Sequence, residues 1–78
     1  MQVCLFAGLA EAAGTRVITL DWAGGSAEQL KHLIASRHPE IAPLVGRSVV
    51  AVGTTYRADD QFVAVTDSVA LIPPVSGG

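Results

Sequence analysis

The chain has 78 residues, 50% of them apolar and 15% charged, enough for one small domain and the opposite of a disordered composition. Five Lys plus Arg against seven Asp plus Glu leave a net charge of −2, so no basic patch for nucleic acid can be built. A single cysteine excludes an internal disulfide and a cysteine-built zinc site, and suits a reducing cytosol.

Gln2 to Ala7 reads as a strand with Val3, Leu5 and Ala7 on one face. Within it Cys4 is expected to be a small buried hydrophobe. A loop from Gly8 to Gly14 joins it, as a hairpin, to a second strand over Arg16 to Leu20, which is rich in β-branched residues. Ala23-Gly24-Gly25 then frees the chain to turn. Ser26 opens a helix, because Ser26 and Gln29 form a Ser-x-x-Gln capping box and Glu28 suits the positive end of the helix dipole. Ala27, Leu30, Leu33 and Ile34 recur at helical spacing and give it one apolar face. Pro39 disfavours helix at His38, so the helix stops there.

Ile41 to Gly46 reads as a linker broken by Pro43. Ser48 to Val52 is a near-continuous apolar run, the pattern of a central strand buried on both faces. Asp59-Asp60 marks a turn, Gln61 to Val63 a short strand, Thr66 to Ser68 another turn, and Val69 to Ile72 the last strand. Pro73 lacks an amide donor, and regular pairing cannot continue through it.

The order is ββαβ(β)β, and the helix must bury its apolar stripe on the sheet. The result is an α+β domain, a β-grasp (ubiquitin-like) mixed sheet with one main helix across it, over residues 1–72. Residues 73–78 form a tail expected to be flexible. No apolar run approaches the ~20 residues that span a bilayer, and the first residues lack a secretory pattern. A cytoplasmic protein without a membrane or nucleic-acid partner is expected. A domain this small needs its apolar side chains for its own core, which favours a carrier, binder or subunit over a self-contained enzyme.

The tail reads Pro73-Pro74-Val75-Ser76-Gly77-Gly78. The prolines hold near-polyproline geometry and project it from the body. Six residues beyond Ile72 extend at most ~20 Å, enough to enter another protein's cleft. Gly77 and Gly78 lack a β-carbon and can pass a narrow channel. The reactive group is then the α-carboxylate of Gly78. A carboxylate is a poor electrophile until adenylation supplies a leaving group, after which sulfur or an amine can be accepted.

Phe6-Ala7, Glu11, Gly14, the helix opening at Ser26, Ala51-Val52, Asp67 and above all Pro-Pro-Val-Ser-Gly-Gly resemble the family of small, sulfur-carrier subunits of molybdopterin synthase. The resemblance covers the whole chain, and the tail is its most specific part. It implies that Gly78 carries a thiocarboxylate, with Gly77 as its channel-fitting neighbour. ATP is used by an adenylating enzyme, and no cofactor is bound by the chain. The sulfur, supplied by a donor enzyme, goes to the pyranopterin precursor inside the large synthase subunit, in a heterotetramer. The resemblance also implies partner contacts through Phe6, Tyr56 and Ile72, followed by Pro73, Pro74 and Val75. The chain departs from the family pattern at Ala10, at Gly53 and in Ala64-Val65-Thr66-Asp67, which keeps only the final acid; these positions bear on partner contacts more than on tail chemistry.

The remaining candidates read as structural. His32 and His38 lie six apart, not at the i, i+4 spacing of a helical metal pair, so no metal site is expected. Asp59-Asp60 is a solvated turn, and Gly24-Gly25 has no Gly-Lys-Ser/Thr after it to make a phosphate loop. Lys31, the only lysine, reads as a solvated helix residue, with contact to an acidic partner as the alternative. Two alternatives stay open. One is sulfur carriage for the thiazole of thiamine, which the diproline disfavours. The other is a ubiquitin-like modifier joined to lysines. In each case Gly78 is a carried group, and the chain alone is not expected to turn over ATP.

Overall fold

A computed structural model describes residues 1–74. Seven strands and three helices follow in the order β1 (Gln2–Leu5), α1 (Ala7–Ala13), β2 (Val17–Thr19), β3 (Gly25–Ser26), α2 (Ala27–Arg37), α3 (Ala42–Val45), β4 (Val49–Val52), β5 (Thr55–Arg57), β6 (Phe62–Val63) and β7 (Val69–Ile72). A 3₁₀ turn, Pro39–Ile41, links α2 to α3. The main sheet is ordered β2-β1-β7-β4-β5, while β3 and β6 form a separate two-stranded sheet. Among the described residues only β1 and β7 pair in parallel; the other pairs are antiparallel. This is the α+β, β-grasp arrangement that the element order implies.

Period-two alternation decides what the sheet buries. Val3 and Leu5 of β1, Ile18 of β2, Val50 of β4, and Val69 and Leu71 of β7 face inward. Against them α2 lays Ala27, Leu30 and Ile34, all fully buried, and Leu9, Ile41 and Val45 close the core. The capping box at the start of α2 is present in full: Gln29 N–H donates to Ser26 Oγ at 3.1 Å, and Ser26 N–H donates to Gln29 Oε1 at 2.9 Å.

The structure corrects several expectations. The segment from Gly8 to Gly14 is not a loop but helix α1, which ends at Gly14 with φ +73°. Ala, Leu and Glu are good helix formers, and Leu9 supplies the single buried anchor that a one-sided, two-turn helix needs. Ala7 accordingly lies outside the first strand, exposed, with φ +48°, where the chain swings out of β1. The expected linker at residues 41–46 is largely helical, because Pro39 and Pro43 sit at first-turn positions that tolerate the missing amide.

Strand β5 follows a two-residue turn, Gly53-Thr54, with Val52 opposite Thr55 and Gly53 at φ +60°, the positive angle such hairpins require. Residues 62–63 are a strand, but they pair with Gly25 and Ser26 instead of joining the main sheet. The middle of that sheet is β7, not β4, and β4 is not buried on both faces: Val49 is 41% exposed. Cys4 is exposed, not buried, because it alternates with Val3 and Leu5 and points away from α2.

Candidate functional site on the outer sheet face

Among the described residues, nothing covers the face of the main sheet turned away from α2, and that face is largely apolar. Register places Val17, Cys4, Ala70, Ala51 and Tyr56 in one row across five strands. A second row holds Ile72 opposite Val49. Phe6 lies one residue past Leu5, which pairs with Leu71, so its extended backbone sets it beside Ile72. The middle of the face is made of small residues. Ala51 is buried there although it points outward, and larger side chains stand around it. Phe6 is 49%, Val49 41%, Val17 42% and Tyr56 69% exposed.

Large exposed apolar side chains on one contiguous face mark an interaction surface more often than a solvated one. At one margin the face runs into a cavity of about 430 Å³ lined by Cys4, Phe6, Ala10, Arg16 and Val17. Among the described residues Arg16 is the one charged residue lining that cavity, so the margin is apolar with a cationic rim.

Three residues named from the sequence, Phe6, Tyr56 and Ile72, therefore share this face. Ile72 is its last strand residue, half-buried, and Pro73 and Pro74 leave the sheet directly from it, the second of them exposed. Val75, Gly77 and Gly78 lie outside the described residues. Sequence reasoning missed Val17, Val49, Ala51 and Ala70 as members of the face, and assigned Cys4 to the core. Alternation alone groups Ala70 with Ile72 and Val49 with Ala51. What unites the two pairs is the strand order, which alternation does not contain.

The other candidates are dispersed. His32 Nε2 lies 4.0 Å from Glu28 Oε1, and His38 Nδ1 lies 3.6 Å from Glu40 Oε2. No group of three metal-ligating side chains occurs among the described residues. Among them, no helix is long and apolar enough to cross a membrane. Gly24-Gly25 packs against aromatic side chains: a β-carbon on Gly24 would approach Phe62, and one on Gly25 would approach Trp22. Lys31 is not a solvated helix residue. Its side chain is 14% exposed, its Nζ lies 3.0 Å from Asp59 Oδ1, and it donates to the Ser48 carbonyl at 3.2 Å. The reason is that α2 docks on the 59–61 turn, where Asp59 and Gln61 carbonyls accept from the Glu28 and Ala27 amides.

Comparison with known proteins adds a second line. The model of the ThiS family matches residues 3–78. A protein of Arabidopsis thaliana named molybdopterin synthase sulfur carrier subunit is 34% identical over 80 residues, covering 100% of this chain and 82% of its own length. Among solved structures, small archaeal modifier protein 1 from Haloferax volcanii (SAMP1) superposes with a TM-score of 0.80 at 28% identity, over 99% of this chain and 97% of its own. A putative molybdopterin converting factor, subunit 1, from Pyrococcus furiosus gives a TM-score of 0.77 at 26% identity, over 95% of both chains.

Proposed function

The chain belongs to the ThiS family, and from that membership we propose that it is a sulfur carrier for molybdopterin synthase, loaded at Gly78. In the first step a carboxylate oxygen of Gly78 attacks the α-phosphorus of ATP and pyrophosphate leaves. A sulfide-level nucleophile then attacks the acyl carbon, forming the C–S bond of the thiocarboxylate as AMP departs. Delivery of that sulfur to the pyranopterin precursor, followed by water attack on the acyl carbon, returns the carboxylate. The nucleotide site, the acid–base groups and the sulfur source belong to partner proteins: an adenylating enzyme, a sulfur donor enzyme and the large synthase subunit.

The observation that carries the reading is the position of Ile72. It ends the middle strand on the apolar face turned away from α2, so a partner seated on Phe6, Tyr56 and Val49 meets Pro73-Pro74 as they leave the sheet. The diproline then directs residues 75–78 into that partner's cleft. The Arabidopsis relative, by its name a sulfur carrier subunit of molybdopterin synthase, supports the same assignment.

The likeness to small archaeal modifier protein 1 favours a second reading, in which the same adenylate is passed to lysine amines of other proteins. One experiment separates them. The chain is incubated with an adenylating enzyme, ATP and a sulfide source, with and without candidate target proteins, and its intact mass is read. A single oxygen-to-sulfur exchange located at Gly78 is the expected result. Isopeptide adducts without that exchange would establish the second reading, and no change at Gly78 would sink both.

A further inference from the structure

An activated acyl group reacts with any accessible amine that has a free lone pair. For a chain that carries such a group, a second copy of itself is an ever-present acceptor. The outer sheet face gives no protection here, because α2 and Lys31 lie on the opposite side of the sheet from it. Within the chain, what matters is whether its own lysine can be reached.

The distribution of cations is informative. Of five basic residues, four are arginines (Arg16, Arg37, Arg47 and Arg57) and one is Lys31. A guanidinium stays protonated and does not acylate under these conditions, whereas a lysine amine does. Arg16, Arg37 and Arg47 are exposed and Arg57 is half-buried with its Nε enclosed, and the one lysine is likewise drawn into the body. Its Nζ is held by Asp59 Oδ1 at 3.0 Å and by the Ser48 carbonyl at 3.2 Å, with its side chain only 14% exposed. Those partners come from the β5–β6 turn and from the residue just before β4, so the amine is clamped between two separate parts of the fold. To attack an acyl carbon it must leave both contacts and lose its proton.

We propose that this sequestration makes Lys31 refractory to acylation by the chain's own activated end: it serves as an internal strut and not as an acceptor, so that copies are not joined to one another through lysine. The inference rests on the activation of Gly78 proposed above. It assigns Lys31 and Asp59 a part in product specificity, since the activated acyl group is kept for sulfur or for a foreign amine. Any reaction at Lys31 would form a C–N bond to the Gly78 carbonyl and release AMP, consuming a carrier in a dead-end dimer.

The test uses the full chain, with Cys4→Ser in the first arm so that a thiol does not compete. In the first arm the chain is treated with N-hydroxysuccinimidyl acetate and the modified positions are mapped over time. Lys31 is expected to react about tenfold or more slowly than the exposed amine introduced by Arg37→Lys. Asp59→Asn, checked for an unchanged melting curve, is expected to remove most of that difference. Equal rates for the two amines in the Arg37→Lys chain with Asp59 intact would overturn the proposal. In the second arm the unaltered chain receives an adenylating enzyme and ATP. Pyrophosphate release without Lys31–Gly78 dimers supports the proposal, and accumulation of such dimers overturns it. If no pyrophosphate is released, it is the activation of Gly78 that fails, and the first arm still decides whether Lys31 is sequestered.

Discussion

Val49 and Ile72 stand opposite each other across the antiparallel β4–β7 ladder, on the face turned away from α2. Ile72 is the last strand residue before Pro73, and Val49 is 41% exposed beside it. The pair joins the apolar face to the start of the tail, so a charge here meets any partner that takes the tail. Val49→Asp is expected to weaken association with a molybdopterin synthase large subunit by about tenfold or more. Because the site faces solvent in the free chain, the stability cost is about 1 kcal/mol or less. Titration calorimetry beside a thermal melt checks both. Unchanged affinity would remove this face from the interface.

Gly25 shows why the turn before α2 needs a residue without a side chain. A β-carbon there would lie 2.5 Å from Gln29 Oε1 and 3.1 Å from the Trp22 ring. Gln29 Oε1 is the acceptor that closes the capping box, and the Trp22 indole N–H donates to the Val63 carbonyl at 3.0 Å. Gly25→Ala therefore disturbs a helix cap and the anchor of the two-stranded sheet together, and is expected to cost about 1–3 kcal/mol. In a domain of this size each kcal/mol lowers Tm by about 4–8 °C, which calorimetry resolves.

Ser26→Ala isolates the cap from that packing. It removes only the Oγ that accepts the Gln29 amide, leaving Gly25 and Trp22 in place. The expected loss is about 1 kcal/mol. A larger effect from Ser26→Ala than from Gly25→Ala, read from paired denaturant melts, would contradict this division.

The limits of the sequence reading are physical. Helix α2 was legible because its cap and its apolar stripe at Ala27, Leu30 and Ile34 are both local. Strands β1, β4 and β7 were legible from alternation and β-branched content. Helix α1 was hidden by Gly8 and Gly14, which read as loop residues although the second only ends the helix. The role of Lys31 was hidden because both of its partners are distant, at Ser48 and Asp59. The outer face was half legible. Phe6, Tyr56 and Ile72 were named through a family likeness, but Cys4 was placed in the core on the general tendency of unpaired cysteines to be buried. Burial of a strand residue depends on which face the helix covers, and the helix covers the face of Val3 and Leu5.

That exposure makes Cys4 a reporter for the whole assignment. It lies in the row that crosses all five strands, paired with Val17 on one side and Ala70 on the other, and it lines the same cavity as Phe6 and Arg16. A maleimide is expected to label it readily in the free chain, since an exposed thiol is open to an electrophile. When the chain is saturated with a large synthase subunit, labelling is expected to slow by about tenfold or more, because interface centres exclude water and solutes. In reverse, a chain labelled beforehand is expected to lose association while keeping its melting temperature within a few degrees, the added group standing outside the core. Labelling that proceeds at the same rate in free and saturated chains would mean that the partner does not sit on the Cys4 row, and the docking of the tail through this face would have to be abandoned.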